Sequence, residues 1–302
     1  MRDIVEAALD TSIDPENAAG DDEFRDPRLG LVGCGPTGID RLSAVANETD
    51  PTRVVVVGDS AGTRQGVSRI LGPDPTPAGI SETLRPLEEG DVAVTLAGPV
   101  GGAGGRIADS EGLVDASTVV TTLDGVARTG ALSICVVALD AGSDPPQSIV
   151  EAADLTIPVP VDVSDRTVEA MTTAVATPLT DSVPLPLNVL DLWNLLASGR
   201  VATPLVAVGA ADEPPECVVA QALDSPLHGT LPDGSVEWFC HLTLGPDATN
   251  RDVDEITARL REELGRRTAR CERGLRSGSV DDDRSGEWRL VALLLPTEGS
   301  NP

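Results

Sequence analysis

The stretch LAGPVGGAGGRIA, residues 96–108, decides how the rest of the chain is interpreted. An apolar run leads into it, and it offers glycines at Gly98, Gly101, Gly102, Gly104 and Gly105. A glycine-rich turn after a strand brings backbone N–H groups close to a phosphate, because glycine lacks the side chain that would hold a ligand away. Two residues depart from that pattern, since Val100 interrupts the run and Arg106 stands where a helix would begin. The stretch therefore indicates a phosphate-binding loop that has lost part of its usual chemistry.

A second glycine loop, GCGPTG, comes earlier in the chain and places Gly33, Gly35 and Gly38 in the spacing G-x-G-x-x-G after a strand. That spacing suits any Rossmann-like fold, and Asp59 after the next strand could serve the ribose of a dinucleotide. A dinucleotide fold does not use a second glycine run, however. Two such loops on one sheet favour a single nucleotide whose phosphates are held from two strands.

The charge balance limits the classes of partner. The 302 residues contain 49 Asp and Glu against 22 basic residues, none of which is lysine, and the net charge is −27. Such a surface argues against nucleic acid and against anionic membranes as partners, because both require clustered basic side chains. It favours a cytosol rich in salt, as in salt-loving archaea, where counterions screen the repulsion between carboxylates.

Targeting segments and metal sites are not expected. The chain has no apolar run long enough to span a membrane, and its acidic, polar N-terminus does not resemble a signal peptide, so we expect a cytoplasmic protein without a direct membrane anchor. The five cysteines are widely spaced, and the two histidines, His228 and His241, lack a catalytic partner pattern. We therefore expect no metal site, and we expect both histidines in the core or on the surface.

Alternating strands and helices predict an α/β fold with a parallel-rich sheet. The segments RVVVVGD, GDVAVTLAG, STVVTTL and ALSICVVALD are interpreted as strands, and the spacing of apolar residues predicts a helix over 165–181 with Ser164 or Asp165 as its N-cap. The second half predicts strands in VATPLVAVGAA, SVEWFCHLTLG and the final EWRLVALLLP. Its clearest helix follows Thr249, which is expected to form a capping box with Asp252.

The predicted organisation has five parts. They are an N-terminal helix and acidic linker at 1–27, an α/β nucleotide-binding domain at 28–164, a central helix and connecting loop at 165–200, an α+β domain at 201–296 and a short tail at 297–302.

These pieces, in this order, resemble the FtsZ/tubulin family of cell-division and cytoskeletal GTPases. GCGPTG is similar to the family's first loop, G-x-G-G-x-G, and VSRILGPDPTPAG is similar to T-R-G-L-G-A-G-x-x-P-x-x-G. AGPVGGAGGRIA lies on the signature A-G-x-G-G-G-T-G-T-G-A-A, and LTLGPDATNRDVDEI resembles the C-terminal segment G-P-D-x-T-x-x-E-V. The resemblance covers nearly the whole chain. It implies a parallel-rich nucleotide-binding sheet domain, a central helix and a smaller α+β C-terminal domain.

The resemblance implies a nucleotide site that is degenerate. Its candidate binding residues are Gly33, Gly35, Gly38, Gly98, Gly101, Gly102, Gly104 and Arg106. Pro36 and Val100 stand where the family has glycines, Ala103 and Gly105 replace threonines, and Val159 replaces the asparagine that reads guanine in the family's I-P-N turn. Each lost contact removes about 1–3 kcal/mol of binding. GTP or GDP is therefore expected to bind weakly, although Arg106 could supply charge to a phosphate.

The catalytic segment is also incomplete. In the family, a loop written N-x-D-F-A-D orients water at the GTP of the next subunit, and NVLDLWNLL is its best match here. One alignment keeps Asp191 and puts Asn194 at the second acid, whereas the other keeps Asn188 and loses both acids. Asp191 and Asn194 are therefore the candidate catalytic residues, and weak or absent GTP hydrolysis is expected.

Three functions remain open from the sequence. The first is an FtsZ-like regulator or assembly partner, non-catalytic or weakly GTP-binding, that associates with FtsZ-family subunits, other division proteins or itself and reaches the division site through them. The alternative is a divergent but active GTPase that polymerises. A third is an unrelated α/β protein that binds a small molecule.

Overall fold

Two β-sheets joined by a central helix organise the chain in the computed structural model. The structure describes residues 27–49, 51–58, 67, 69–72, 75–100, 113–180, 189–196, 201–210, 213–245, 249–280 and 287–297. The predicted N-terminal helix and the last five residues therefore lie outside the described part, as do Gly101, Gly102, Gly104 and Arg106.

The first sheet is parallel throughout. Its strands are β1 Leu29–Cys34, β2 Arg53–Val57, β3 Arg69–Leu71, β4 Val92–Ala97, β5 Leu132–Leu139 and β6 Leu155–Pro160, in the order β3-β2-β1-β4-β5-β6. The helices between its strands are α1 Gly35–Thr49, α2 Pro77–Thr83, α3 Ala116–Ala127 and α4 Gln147–Ala152. Helices cover both faces, so β1, β4 and β5 are buried along their whole length.

The second sheet is mixed and lies in the C-terminal half. Its strands are β7 Thr203–Ala210, β8 Ser235–Leu244, β9 Arg270–Val280 and β10 Glu287–Pro296, in the order β7-β10-β8-β9. Only the β8–β9 pair is parallel. The helices α7 Pro215–Asp224 and α8 Asn250–Arg267 supply apolar side chains to the core on one face of this sheet.

The helices α5 Asp165–Thr180 and α6 Val189–Leu196 join the two halves. The hydrophobic core on the α1 side of the first sheet runs without interruption through both helices to the second sheet. Met171 of α5 and Leu192 of α6 share this core with Phe239 of β8 and Leu293 of β10. The junction is therefore packed with apolar side chains rather than linked by a polar connection.

The predicted fold class is confirmed, as is the assignment of residues 236–244 to the second sheet. The strand order of the first sheet also occurs in dinucleotide-binding folds, so that order alone does not distinguish an FtsZ/tubulin-like fold from an unrelated α/β protein. The central helix and the second sheet do distinguish them.

Ser164 is the N-cap of α5, because its hydroxyl accepts the N–H of Thr167 at 3.2 Å. The capping box at the start of α8 is present, with the carboxylate of Asp252 accepting the N–H of Thr249 at 2.7 Å.

Two predictions about elements are wrong. STVVTTL, predicted as a strand, forms α3, because Asp115 caps it by accepting the N–H of Ser117 at 2.8 Å and because Val119, Leu123 and Val126 form one buried stripe. Helical spacing of the buried residues outweighs the strand preference of the β-branched side chains. Part of the segment predicted as a connecting loop forms α6, whose Leu192, Leu195 and Leu196 are buried.

Within the described residues, none of the helices has both the length and the apolar character needed to cross a bilayer.

Candidate functional site

The carboxyl edge of the first sheet is the candidate site, because ligands of open parallel sheets bind just beyond the carboxyl ends of the strands. The first glycine loop and Gly98, the described start of the second, meet there. A Cβ added to Gly38 would lie 3.3 Å from the backbone nitrogen of Gly98, so the start of α1 and the end of β4 touch. The structure thus brings together Gly33, Gly35, Gly38 and Gly98 at one edge.

The glycines of the first loop are required by contacts within the protein. Gly35 has φ +70°, which side chains rarely adopt, and a Cβ there would lie 2.8 Å from the Cβ of Val114. A Cβ on Gly38 would lie 2.2 Å from the carbonyl oxygen of Leu96. A Cβ on Gly33 would lie 3.0 Å from the carbonyl oxygen of Gly38. The G-x-G-x-x-G spacing is therefore explained by close packing between α1 and the sheet, without a ligand.

An apolar residue stands at each end of the second glycine loop. Val100 and Val114 form a parallel bridge, and both are buried, with 5% and 7% of their surface exposed. Three backbone N–H groups near its base are already used: Gly98 donates to Cys34 O at 3.0 Å, Val114 donates to Pro99 O at 2.9 Å, and Val100 donates to Ala138 O at 3.4 Å. The base of this loop is therefore held by the sheet. Pro36, exposed in the first turn of α1, offers no N–H.

A buried arginine, which the sequence interpretation did not identify, lies where this edge ends beyond β6. Arg41 of α1 donates from Nη2 to the carbonyl oxygens of Val161 and Val163 at 3.2 and 3.3 Å. Its Nε lies 3.4 Å from Oδ1 of Asp165 at the start of α5. Burial lowers the pKa of Arg41, and the charge of Asp165 opposes that shift. The sequence feature that could have identified Arg41 is an arginine within the apolar stripe of α1, because a buried charge needs partners.

Val159, the residue aligned with the guanine-reading asparagine, is fully buried in β6 and belongs to the core that continues into α5. Its side chain therefore packs among apolar residues of this core. The segment after β5 contacts the C-terminal half of the chain, since His228 Nε2 lies 2.8 Å from the carbonyl oxygen of Ser143.

The two candidate catalytic residues lie on α6, which packs against β8 of the second sheet. Asp191 is half-exposed and forms an ion pair with Arg273 of β9, with 2.8 Å between Oδ1 and Nη2. The same guanidinium donates to the backbone carbonyl of Asp191 at 3.3 Å. Asn194 is exposed on the same helix. The carboxylate that resembles the family's catalytic acid is thus paired with a cation of its own chain.

The other histidine, His241, lies in the core of the C-terminal half. It is 1% exposed, and its Nδ1 and Nε2 lie 2.6 and 3.0 Å from the hydroxyl oxygens of Ser277 and Ser279. Burial lowers the pKa of His241 to about 4, so the ring is neutral at physiological pH. In the described part of the chain, no three His, Cys, Asp or Glu side chains are grouped to hold a metal ion.

Comparison with characterised proteins gives one consistent result. The chain is 24% identical over 337 residues to cell division protein FtsZ 2 of Halobacterium salinarum, covering 97% of this chain and 84% of that protein. It is 24% identical over 340 residues to FtsZ 2 of Haloferax volcanii, covering 97% and 82%. No protein-family model matches the chain.

Solved structures of the same class share the fold. An empty FtsZ dimer of M. jannaschii superposes with a TM-score of 0.70 at 14% identity, covering 98% of this chain and 92% of that one. A GTPγS-bound protofilament of CetZ2 from Haloferax volcanii superposes with a TM-score of 0.60 at 13% identity, covering 91% and 94%. The resemblance predicted from the glycine loops is confirmed, and the fold is FtsZ/tubulin-like.

Proposed function

We propose that this divergent FtsZ-like chain works in an FtsZ-type assembly of cell division or the cytoskeleton as a non-catalytic or weakly GTP-binding partner. Its likeness to FtsZ 2 over 97% of its length supports the process. The dimer and the protofilament among its structural neighbours support association with FtsZ-family subunits or with further copies of itself. It would reach the division site through those partners.

The bridge between Val100 and Val114 carries the proposal. Val100 stands where the resembling signature has a glycine, and its side chain is buried instead of leaving room for a ligand. Its N–H is directed to Ala138 O, a sheet contact. Together with Pro36, which has no N–H, this leaves fewer backbone donors for a phosphate than the signature provides. A weak site for GTP or GDP follows, with candidate contacts at the glycines of both loops and at Arg106.

The ion pair of Asp191 supports weak or absent hydrolysis. A general base must be free to accept a proton from water, whereas the Asp191 carboxylate contacts the guanidinium of Arg273 at 2.8 Å. Asn194 cannot accept a proton as a carboxylate does. Because the parts of a catalytic site act together, losing some of them removes most of the rate.

The test measures GTP binding and turnover by the purified chain in molar potassium chloride, with an authentic FtsZ at the same concentration as control. We expect turnover at least about a hundredfold below the control, the loss typical of one missing transition-state donor. Turnover equal to that of the control would overturn the proposal.

The alternative, a divergent polymerising GTPase, is supported by the neighbouring protofilament that contains GTPγS. This alternative requires that filaments form only in the presence of nucleotide, which electron microscopy would show. In that case Asp191→Asn should lower turnover and Arg106→Ala should weaken nucleotide binding. Glu255→Gln, on the exposed face of α8, serves as the control that should change neither.

A further inference from the structure

An irregularity in the edge strand β9 lies beside the candidate catalytic residue Asp191. The register of β9 with β8 shifts between Cys271 and Gly274, so that two residues of β9 face one residue of β8. Such a β-bulge bends the strand and redirects a side chain at the edge of the sheet. Arg273 is one of the two bulged residues, and its guanidinium contacts α6 at Asp191.

The bulge is held in place by a tryptophan of the neighbouring strand. Trp238 of β8 is 3% exposed, and its ring packs against the backbone of Gly274. A Cβ added to Gly274 would lie 2.1 Å from Cε2 of that ring, so the contact requires glycine. The backbone position of Arg273, the residue before Gly274, is therefore fixed by packing within the sheet and does not depend on its ion pair.

The contact between Arg273 and Asp191 is both specific and reversible. Nη2 of Arg273 donates to Oδ1 of Asp191 at 2.8 Å and to its backbone carbonyl oxygen at 3.3 Å, so the guanidinium holds the side chain against its own helix. Arg276, three residues further along β9, pairs with Asp254 of α8 instead. The side chains of Arg273 and Asp191 are 42% and 47% exposed. Water and salt ions can therefore compete for both partners.

We propose that Arg273 is an autoinhibitory latch on Asp191, and that its hold relaxes as the salt concentration rises. The inference rests on the proposed function, in which Asp191 is the candidate catalytic residue. While the pair is closed, Oδ1 is occupied by the guanidinium, so turnover is limited to the fraction of molecules in which the pair is open. An exposed pair is closed in up to about four-fifths of molecules at low salt. At 1 M salt the screening length falls to about 3 Å, and the open fraction grows.

The test is GTP turnover by the purified full chain and by Arg273→Gln, measured from about 0.3 M to about 3 M potassium chloride, a range over which screening of the pair increases. Arg273→Gln should be about fivefold faster at the lowest salt, and the ratio should fall below about twofold at the highest. Arg276→Gln, which releases Asp254 instead, is the matched control and should have the rate of the unaltered chain throughout. General effects of salt on folding and assembly are common to all three proteins.

Two further variants separate a latch from a structural role. Arg273→Lys keeps the cation and should retain part of the inhibition, and Asp191→Asn/Arg273→Gln should be no faster than Asp191→Asn. Equal rates for Arg273→Gln and the unaltered chain at low salt, including the case in which neither hydrolyses GTP, would overturn the proposal. A gain that is independent of salt, or an equal gain in Arg276→Gln, would also overturn it. These outcomes are ratios between variants, so they are distinct from the comparison with authentic FtsZ that tests the proposed function.

Discussion

Gly38 lies where the helix after β1 meets the end of β4. Gly38→Ala puts a Cβ 2.2 Å from the carbonyl oxygen of Leu96, which is backbone and cannot rotate away. We expect the free energy of unfolding to fall by about 1–3 kcal/mol, measured by denaturant unfolding at fixed salt. Gly265→Ala is the control, because no atom beyond its own stretch of helix lies within 4 Å of the added Cβ, and helix propensity should hold or raise stability. Equal stability of the two variants would contradict the packing explanation of the glycine loop.

His241 makes stability depend on pH in a direction opposite to that of a salt-bridged histidine. Its pKa in the folded chain is lowered from 6.5 to about 4 by burial, so below pH 6.5 the unfolded chain binds the proton more strongly. The stabilisation is full above pH 6.5, falls as the pH drops below it, and is lost below about pH 4. Between pH 7 and pH 5 the loss should be about 2 kcal/mol.

The measurement compares urea unfolding of the unaltered chain and of His241→Gln at the two pH values. The variant should lose less free energy of unfolding over this interval, because glutamine retains hydrogen-bonding groups for the serine hydroxyls without titrating. An identical pH dependence in both proteins would contradict the assignment.

At the scale of elements, the contact between α6 and β9 includes the ion pair of Asp191 and Arg273. Both side chains are more than 40% exposed, so water and salt weaken their attraction. A double-mutant cycle with Asp191→Asn and Arg273→Gln should give a coupling energy of about 0.2–1 kcal/mol that falls as salt is raised. The pair Arg259–Glu262 on α8, which is similarly exposed, is the control for the size of the coupling energy. A coupling energy that rises with salt would exclude an ordinary surface ion pair.

Elements with an apolar period were predictable from the sequence, and two other kinds were not. β9, with the sequence RCERGLRSGSV, is an edge strand that carries arginines to the surface, so it has no apolar alternation to recognise. STVVTTL has β-branched residues typical of a strand, yet its helix depends on the cap at Asp115 and on burial against the sheet. β9 is decided by pairing with β8, a part of the chain that is distant in sequence, whereas the cap of α3 is a local signal that its β-branched residues concealed.

One part of the candidate site was likewise predictable from the sequence, and another part was not. The positions of Gly33, Gly35, Gly38 and Gly98 at one edge followed from the motif order, because the carboxyl ends of parallel strands share an edge. The role of Arg41 did not, since it depends on carbonyl groups 120 and 122 residues away.

At the scale of the whole molecule, net charge should control stability. With a net charge of −27, the folded chain repels itself more than the expanded chain does. Raising salt from about 0.01 M to 1 M shortens the screening length from about 30 Å to about 3 Å. We therefore expect the Tm to be several degrees higher in molar potassium chloride than in dilute buffer, measured by calorimetry.

Sucrose in dilute buffer is the control for that experiment, because it stabilises folded proteins by exclusion from their surface without screening charge. A Tm that rises equally in sucrose and in potassium chloride, or that does not change with salt, would contradict the electrostatic explanation.

The bridge between Val100 and Val114 has a consequence for how this chain can change over generations. The 13 positions from 101 to 113 begin and end at neighbouring points that the sheet already fixes. When the two ends of a chain segment are fixed close together, each doubling of its length adds only about 0.6 kcal/mol of closure entropy. We therefore expect insertions and deletions between the two valines to cost the rest of the protein little stability. The requirements of folding and of nucleotide chemistry are to that extent separable at this point of the chain.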